Sequence, residues 1–120
     1  MVKLTVLYGQ PKSPADFERY YTQTHMPIAN KMKGILRGEL SKVVATLDGS
    51  PPPYYRIAEF WFDSVEHMKS VVSSPEGQAT AADLPNFATG GGTIRCDLRS
   101  DAMAVSVRRR HPYRQSLHIP

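Results

Sequence analysis

His25 is the residue in this chain best placed to do chemistry, and the argument is its spacing. In Phe17-Glu18-Arg19-Tyr20-Tyr21-Thr22-Gln23-Thr24-His25-Met26-Pro27-Ile28, the residues Phe17, Tyr21, His25 and Ile28 recur at steps of three and four, so on a helix they share one side. Two rings and an isoleucine make that side the buried one. An imidazole there exchanges a proton near neutral pH and, flanked by aromatic rings, does so in a partly dry pocket. The same position suits a core histidine with a backbone partner, and spacing alone does not separate the two readings. No metal is expected: four histidines and one cysteine fall at spacings that fit neither a zinc finger nor an H-x-x-x-H pair.

The elements that must position His25 follow from periodicity and capping. Val2 to Gly9 alternates Val2, Leu4, Val6 and Tyr8 against Lys3, Thr5, Leu7 and Gly9, which predicts a strand with one apolar face. Ser13-Pro14-Ala15-Asp16 then supplies an N-cap hydroxyl, a proline at the first helical position and an acid near the positive helix end. Pro27 lacks an amide proton and disfavours helical geometry at Met26, so a kink or stop is expected just after His25. Lys33 to Leu47 reads as a long, bent strand, with Gly34 and Gly38 as sites of bulging or close approach. A turn at Asp48-Gly49-Ser50 and a proline run lead into a strand from Tyr54 to Phe62. Asp63-Ser64-Val65-Glu66-His67-Met68 opens a second helix, expected to break at Ser73-Ser74-Pro75 and resume through Glu76 to Leu84, followed by a strand from Thr93 to Leu98.

The order β-α-β-β-α-β is ferredoxin-like, an α+β antiparallel sheet with both helices on one face. Ala58, Phe60 and Phe62 face the helices. Tyr55, Ile57 and Trp61 face the other way beside Glu59, a patch of the kind that marks an interface. A homodimer through the sheet face is the expectation.

The chain of 120 residues suits one domain. With 41% hydrophobic and 22% charged residues it is globular. The net charge of +4 suggests nucleic acid only until it is located. Arg108, Arg109, Arg110 and Arg114 against Asp101 give +3 in residues 101–120, leaving +1 for the body. The expected division is therefore a domain over residues 1–100 and a basic tail over 101–120, either a strand arm through Met103, Val105 and Val107 or non-native. The shared strand order raises an RNA-recognition reading, but Tyr54 to Phe62 lacks the glycine and stacking aromatics of that motif and Glu59 repels phosphate, so no nucleic-acid partner is expected. No apolar run approaches membrane-spanning length and none follows a basic start; the expectation is a soluble, cytoplasmic protein with Cys96 as packing.

Tyr8-Gly9, Phe17-x-x-Tyr20-Tyr21-x-x-x-His25-x-Pro27 and Asp83-Leu84-Pro85-Asn86-Phe87-Ala88-Thr89-Gly90-Gly91 together resemble the EthD family of the dimeric α+β barrel superfamily, over about the first hundred residues. The resemblance implies a homodimeric barrel with helices outside, a ligand pocket between helices and sheet, and an association with bacterial degradation of ethers and other xenobiotics. Relatives include a lactone isomerase, polyketide dehydratases and cofactorless oxygenases, and an oxidoreductase label is common. No cofactor is expected: Gly90-Gly91-Gly92 precedes a strand rather than a helix, so the nicotinamide fingerprint is missing.

By the resemblance, His25 is the proton-transfer candidate and Asp83 its natural companion, a carboxylate that would raise the imidazole pKa and fix its tautomer if the two meet. Asp83-Leu84-Pro85 equally suits a turn that caps local amides. Tyr8, Tyr21, Phe60 and Phe87 are candidates to wall the ligand pocket, or are simply core. Two functions remain open. One is an enzyme on a small apolar or aromatic compound, oxidoreductase-, isomerase- or lyase-like. The other is a non-catalytic small-molecule-binding accessory protein of a degradation pathway.

Overall fold

The computed structural model describes residues 1–98; the expectations for the basic tail lie outside the described residues. The strands β1 (Val2–Gly9), β2 (Arg37–Lys42), β3 (Tyr54–Phe62) and β4 (Gly92–Leu98) form one sheet in the order β2-β3-β1-β4, antiparallel at every pairing. One side carries α1 (Pro14–Tyr20), a π turn (Tyr21–His25), α2 (Met26–Ala29), α3 (Val65–Val72) and α4 (Pro75–Asp83), closed by a 3-10 turn at Leu84–Asn86. This is the ferredoxin-like α+β architecture. No described helix is long and apolar enough to cross a membrane.

Local chemistry sets the helix starts. Ser13, Ser64 and Ser74 are extended at the N-cap, and their hydroxyls accept from the amides of Asp16, His67 and Gly77, which satisfies donors a helix start leaves free. Pro14 and Pro75 each open a helix, and the break at Ser73–Ser74 falls where the sequence placed it. Gly77 makes that corner possible, because a Cβ there would lie 2.3 Å from the Val71 carbonyl oxygen.

The helix-facing residues of β1 and β3 pair across the sheet, Leu4 with Phe60 and Val6 with Ala58. Two buried clusters form above them. Tyr8, Phe17, Tyr21, Tyr55, Ala58 and Phe87 make one; Val2, Phe62, Met68 and Val71 make the other. Phe60 packs against both, and the space between them is where the site lies.

Four expectations change. The helix does not stop after His25: a π turn from Tyr21 to His25, closed by the Met26 amide donating to the Tyr21 carbonyl, absorbs the disturbance before Pro27, and the helix runs on to Ala29. β2 is only Arg37–Lys42, because it is a sheet edge paired on one side and Val44 and Leu47 project fully into solvent. Tyr55 belongs to the core side. The β1–β3 register shifts between Tyr8 and Gly9, which pair with Arg56 and Tyr54, so Tyr55 is the extra residue of a bulge. It is buried with its ring 5.1 Å from that of Phe17. Cys96 is exposed rather than packed. The open sheet face thus carries Leu7, Ile57 and Trp61, crossed by a Lys3–Glu59 ion pair at 2.9 Å.

Candidate functional site

His25 reaches its position through the π turn. Phe17, Tyr21, His25 and Ala29 are all buried, and the rings stack in sequence, Phe17 on Tyr21 at 5.4 Å and Tyr21 on His25 at 5.8 Å between centroids. Ile28, expected on this stripe, is only half-buried. The stripe is pinned to the sheet by Arg56, whose guanidinium donates to both carboxylate oxygens of Glu18 at 2.8 and 3.1 Å and lies 4.8 Å from the Tyr21 ring centre. The hydrogen bonds from Arg56 hold the Glu18 carboxyl below its usual range.

Asp83 is the last residue of α4, and it meets His25. Imidazole Nδ1 is 2.9 Å from Asp83 Oδ2, and both side chains are buried. The other carboxylate oxygen, Oδ1, accepts from the Tyr20 hydroxyl at 2.6 Å and from Asn86 Nδ2 at 2.9 Å. Burial is the largest influence on this carboxyl and works to raise its pKa. The hydrogen bonds from Tyr20, Asn86 and His25 outweigh it and hold the group below the ordinary carboxylate value. An ionised carboxylate only accepts, so Nδ1 must carry a proton and neutral His25 has its lone pair at Nε2.

That imidazole lines an apolar cavity of about 220 Å³. Leu4, Val6 and Phe60 form its floor on the sheet, and Met26, Ile35 and Leu84 are among its walls. Among the described residues no Asp, Glu, Lys or Arg lines it, and its lining hydroxyl Thr80 already donates to the Glu76 carbonyl. Tyr8 and Tyr21 also line it. Burial pushes the Tyr21 phenol up to about 12 and the Tyr8 phenol higher still, so both remain neutral donors at pH 7. The Tyr21 hydroxyl is buried with no partner. A larger cleft, about 450 Å³, lies over α1, but it touches Tyr20, Asn86 and Phe87 and is lined by neither Asp83 nor His25.

Of the residues singled out from the sequence, the structure brings His25 and Asp83 into contact and sets Tyr8, Tyr21 and Phe60 around the same cavity. Phe87 stands apart. Its ring is 4.5 Å from the imidazole and stacks on Tyr20 at 5.4 Å, so it supports the dyad without lining the cavity. The loop that carries it is drawn onto β1 by glycine: a Cβ on Gly90 would lie 2.1 Å from the Gln10 carbonyl oxygen, and Gly9 donates to the Gly91 carbonyl. Tyr20 and Asn86 were not anticipated as partners of Asp83. For Asn86 a signal existed, three residues beyond a helix-terminal Asp, where the side chains fall on one side. Among the described residues no group of three His, Cys, Asp or Glu converges as a metal site would require.

An antiparallel four-stranded sheet under helices, with His25 on the wall of an apolar cavity and Asp83 behind it, defines an α+β protein of the ferredoxin-like fold. The chain belongs to the EthD family: the EthD domain model matches residues 9–91. It is 37% identical over 94 residues to an uncharacterized 11.0 kDa protein from the thcB–thcC intergenic region of Rhodococcus erythropolis, covering 78% of this chain and 90% of that one. An ethyl tert-butyl ether d (EthD) family protein from Bacillus halodurans superimposes with a TM-score of 0.78 at 28% identity, over 83% of this chain and 99% of the other. A dimeric protein of ferredoxin-like fold from Bacteroides fragilis gives 0.60 at 14% identity, over 82% and 95%; at that identity the likeness is one of fold.

Proposed function

We propose that this protein acts on a small, neutral, apolar or aromatic compound held in the cavity, with His25 Nε2 as the group that moves a proton. The observation that carries the reading is the 2.9 Å contact between Nδ1 and Asp83 on the wall of an apolar cavity. With Nδ1 committed, Nε2 is the nitrogen left for a guest. As base it takes a proton from an acidic C–H or O–H, and the imidazolium that forms is stabilised by the Asp83 carboxylate. Returning that proton to another atom of the same guest is an isomerisation. Delivering it to a departing hydroxyl, which leaves as water, is a dehydration. A cofactor-free oxygenation needs the same first step and dioxygen as co-reactant. The name of the Bacillus protein's family contains ethyl tert-butyl ether, a small apolar molecule of the kind this cavity admits, which supports a place in the breakdown of such compounds.

The working unit we propose is a homodimer through the open sheet face. Trp61, Ile57 and Leu7 lie there half-buried, the Thr5 hydroxyl is buried without a partner, and a relative of the same fold is dimeric. The competing function, a binder without chemistry, uses the same cavity and no proton.

An enolisable ketone in heavy water separates the two. Phenylacetone is the probe, and loss of its α-proton signals is the readout. The wild-type protein is expected to accelerate exchange, and His25→Ala to lose about 10²- to 10⁴-fold of it while still binding phenylacetone. Binding of phenylacetone with exchange no faster than in buffer would establish the non-catalytic binder.

A further inference from the structure

A second apolar chamber, also about 220 Å³, adjoins the one beside His25. Val6, Tyr8, Leu84 and Ile94 line both, so these four side chains are the partition. The second chamber is bounded by Gly91, Gly92 and Thr93, all exposed, and it opens at the edge of the sheet. The members of the partition differ in freedom. Tyr8 is 3% exposed and wedged among the rings of Phe17, Tyr21 and Phe87. Ile94 is 53% exposed and stands on β4, the last strand of the sheet order. Of the four it is the one with room to turn, and a β-branched side chain turns between few discrete positions.

We propose that Ile94 sets the length of the guest: an elongated neutral molecule places a carbonyl or hydroxyl at His25 Nε2 and passes its apolar body beside Ile94 into the second chamber. This rests on the reading of the first cavity as the binding site and adds the class of ligand to it. Size supports elongation. An apolar cavity of about 150 Å³ holds benzene, so the first chamber takes one ring with a short substituent, and the pair takes a further ring or an alkyl chain. Charge supports neutrality. Among the described residues neither chamber is lined by an Asp, Glu, Lys or Arg side chain, and the ionised Asp83 behind His25 opposes a second anion.

Alkyl phenyl ketones from acetophenone to octanophenone test this by titration calorimetry on the intact protein. Affinity is expected to rise about fourfold per methylene in the wild type, the gain from burying each group. In Ile94→Trp the gain with length should disappear, read as the slope of affinity on chain length within the variant's own series. Because Ile94 is half in solvent, that variant is expected to fold; Leu84→Trp closes the same partition from the other side and should read alike. Phenyloctanoate, of matching length but anionic, should bind at least about tenfold more weakly than the ketone, since an unpaired charge resists burial. A flat dependence on length in the wild type, an unchanged slope in both tryptophan variants, or equal binding of the carboxylate would each overturn the proposal while leaving the first cavity as a site. Failure of acetophenone itself to bind would overturn the reading of the cavity, and this proposal with it.

Discussion

Replacing Asp83 by Asn should move the proton on His25 from one ring nitrogen to the other. Three donors converge on the Asp83 carboxylate: the Tyr20 hydroxyl and Asn86 Nδ2 on Oδ1, at 2.6 and 2.9 Å, and His25 Nδ1 on Oδ2, at 2.9 Å. An asparagine offers one oxygen and one amide. With its oxygen at the Oδ1 position it keeps Tyr20 and Asn86, and its NH₂ then faces His25 Nδ1, which must become the acceptor. The reverse orientation sets the new NH₂ against the Tyr20 hydroxyl and Asn86 Nδ2 and gives up a hydrogen bond there, so the first orientation is favoured. Neutral His25 then carries its proton on Nε2, where a base needs its lone pair. Long-range ¹H–¹⁵N correlation of the imidazole nitrogens reads this directly. The wild type should show a protonated Nδ1 and a bare Nε2, and Asp83→Asn the reverse, with ketone binding kept and α-proton exchange lost. If Nδ1 stays protonated in the variant, the carboxylate does not set the tautomer and the reasoning fails.

Other outcomes follow from the same geometry. The Asp83 carboxyl has a folded-state pKa below its ordinary 3.8, so its contribution to stability is full above that value and is lost as pH falls through the lower folded one. The margin by which the urea midpoint of the wild type exceeds that of Asp83→Asn should therefore close as pH falls below about 4; a margin that persists into strong acid contradicts the assignment. Arg56→Ala removes two charged hydrogen bonds from the half-buried Glu18 and should cost about 1.5–3 kcal/mol, seen as a fall in melting temperature. Arg56→Lys should recover only part of this, because one ammonium does not match both carboxylate oxygens. Ile57→Asp puts a charge on the open sheet face and should yield a monomer in sedimentation equilibrium; a dimer that survives it uses another surface.

What was legible in the sequence is what local interactions decide. Caps and helix-opening prolines act within a few residues: the Ser13 cap with Pro14 was read from the sequence, as were a helix opening within 63–68 and a break at Ser73-Ser74-Pro75, while the caps at Ser64 and Ser74 come from the structure. β1 was legible because one face is buried against helices and the alternation is strict. β2 was read too long because a strand exists only as far as its ladder does. Val43 still donates to Tyr55, but beyond it Val44 and Leu47 have no partner whatever their β propensity. Tyr55 was assigned to the wrong face by counting in twos. The count breaks at a bulge opposite Gly9, which is a property of two strands and not of either alone. In the site, His25 was visible from its own helix, whereas its contact with Asp83 spans 58 residues and came within reach only through the family pattern. Tyr20 escaped because its partner lies on a different helix.

The π turn explains both the placement of Ile28 on the stripe and its failure to be there. At 3.6 residues per turn an α-helix advances about 100° per residue. Eleven steps from Phe17 bring Ile28 back to within about 20° of the starting direction, and twelve carry Ala29 about 120° away. On a regular helix Ile28 is buried and Ala29 is not. The π turn takes one residue more to close, as the Met26-to-Tyr21 bond records, and sets everything after it back by about one residue's rotation. Ala29 then replaces Ile28 under the helix, and the buried series runs Phe17, Tyr21, His25, Ala29 in steps of four. Pro27, which has no amide to give, sits two residues past the end of that turn. The residue that looked like a helix stop is thus carried through by the wide turn that also holds the imidazole between Tyr21, Phe87 and Asp83. Wide turns of this kind are uncommon in ordinary helices and frequent where a side chain must be aimed.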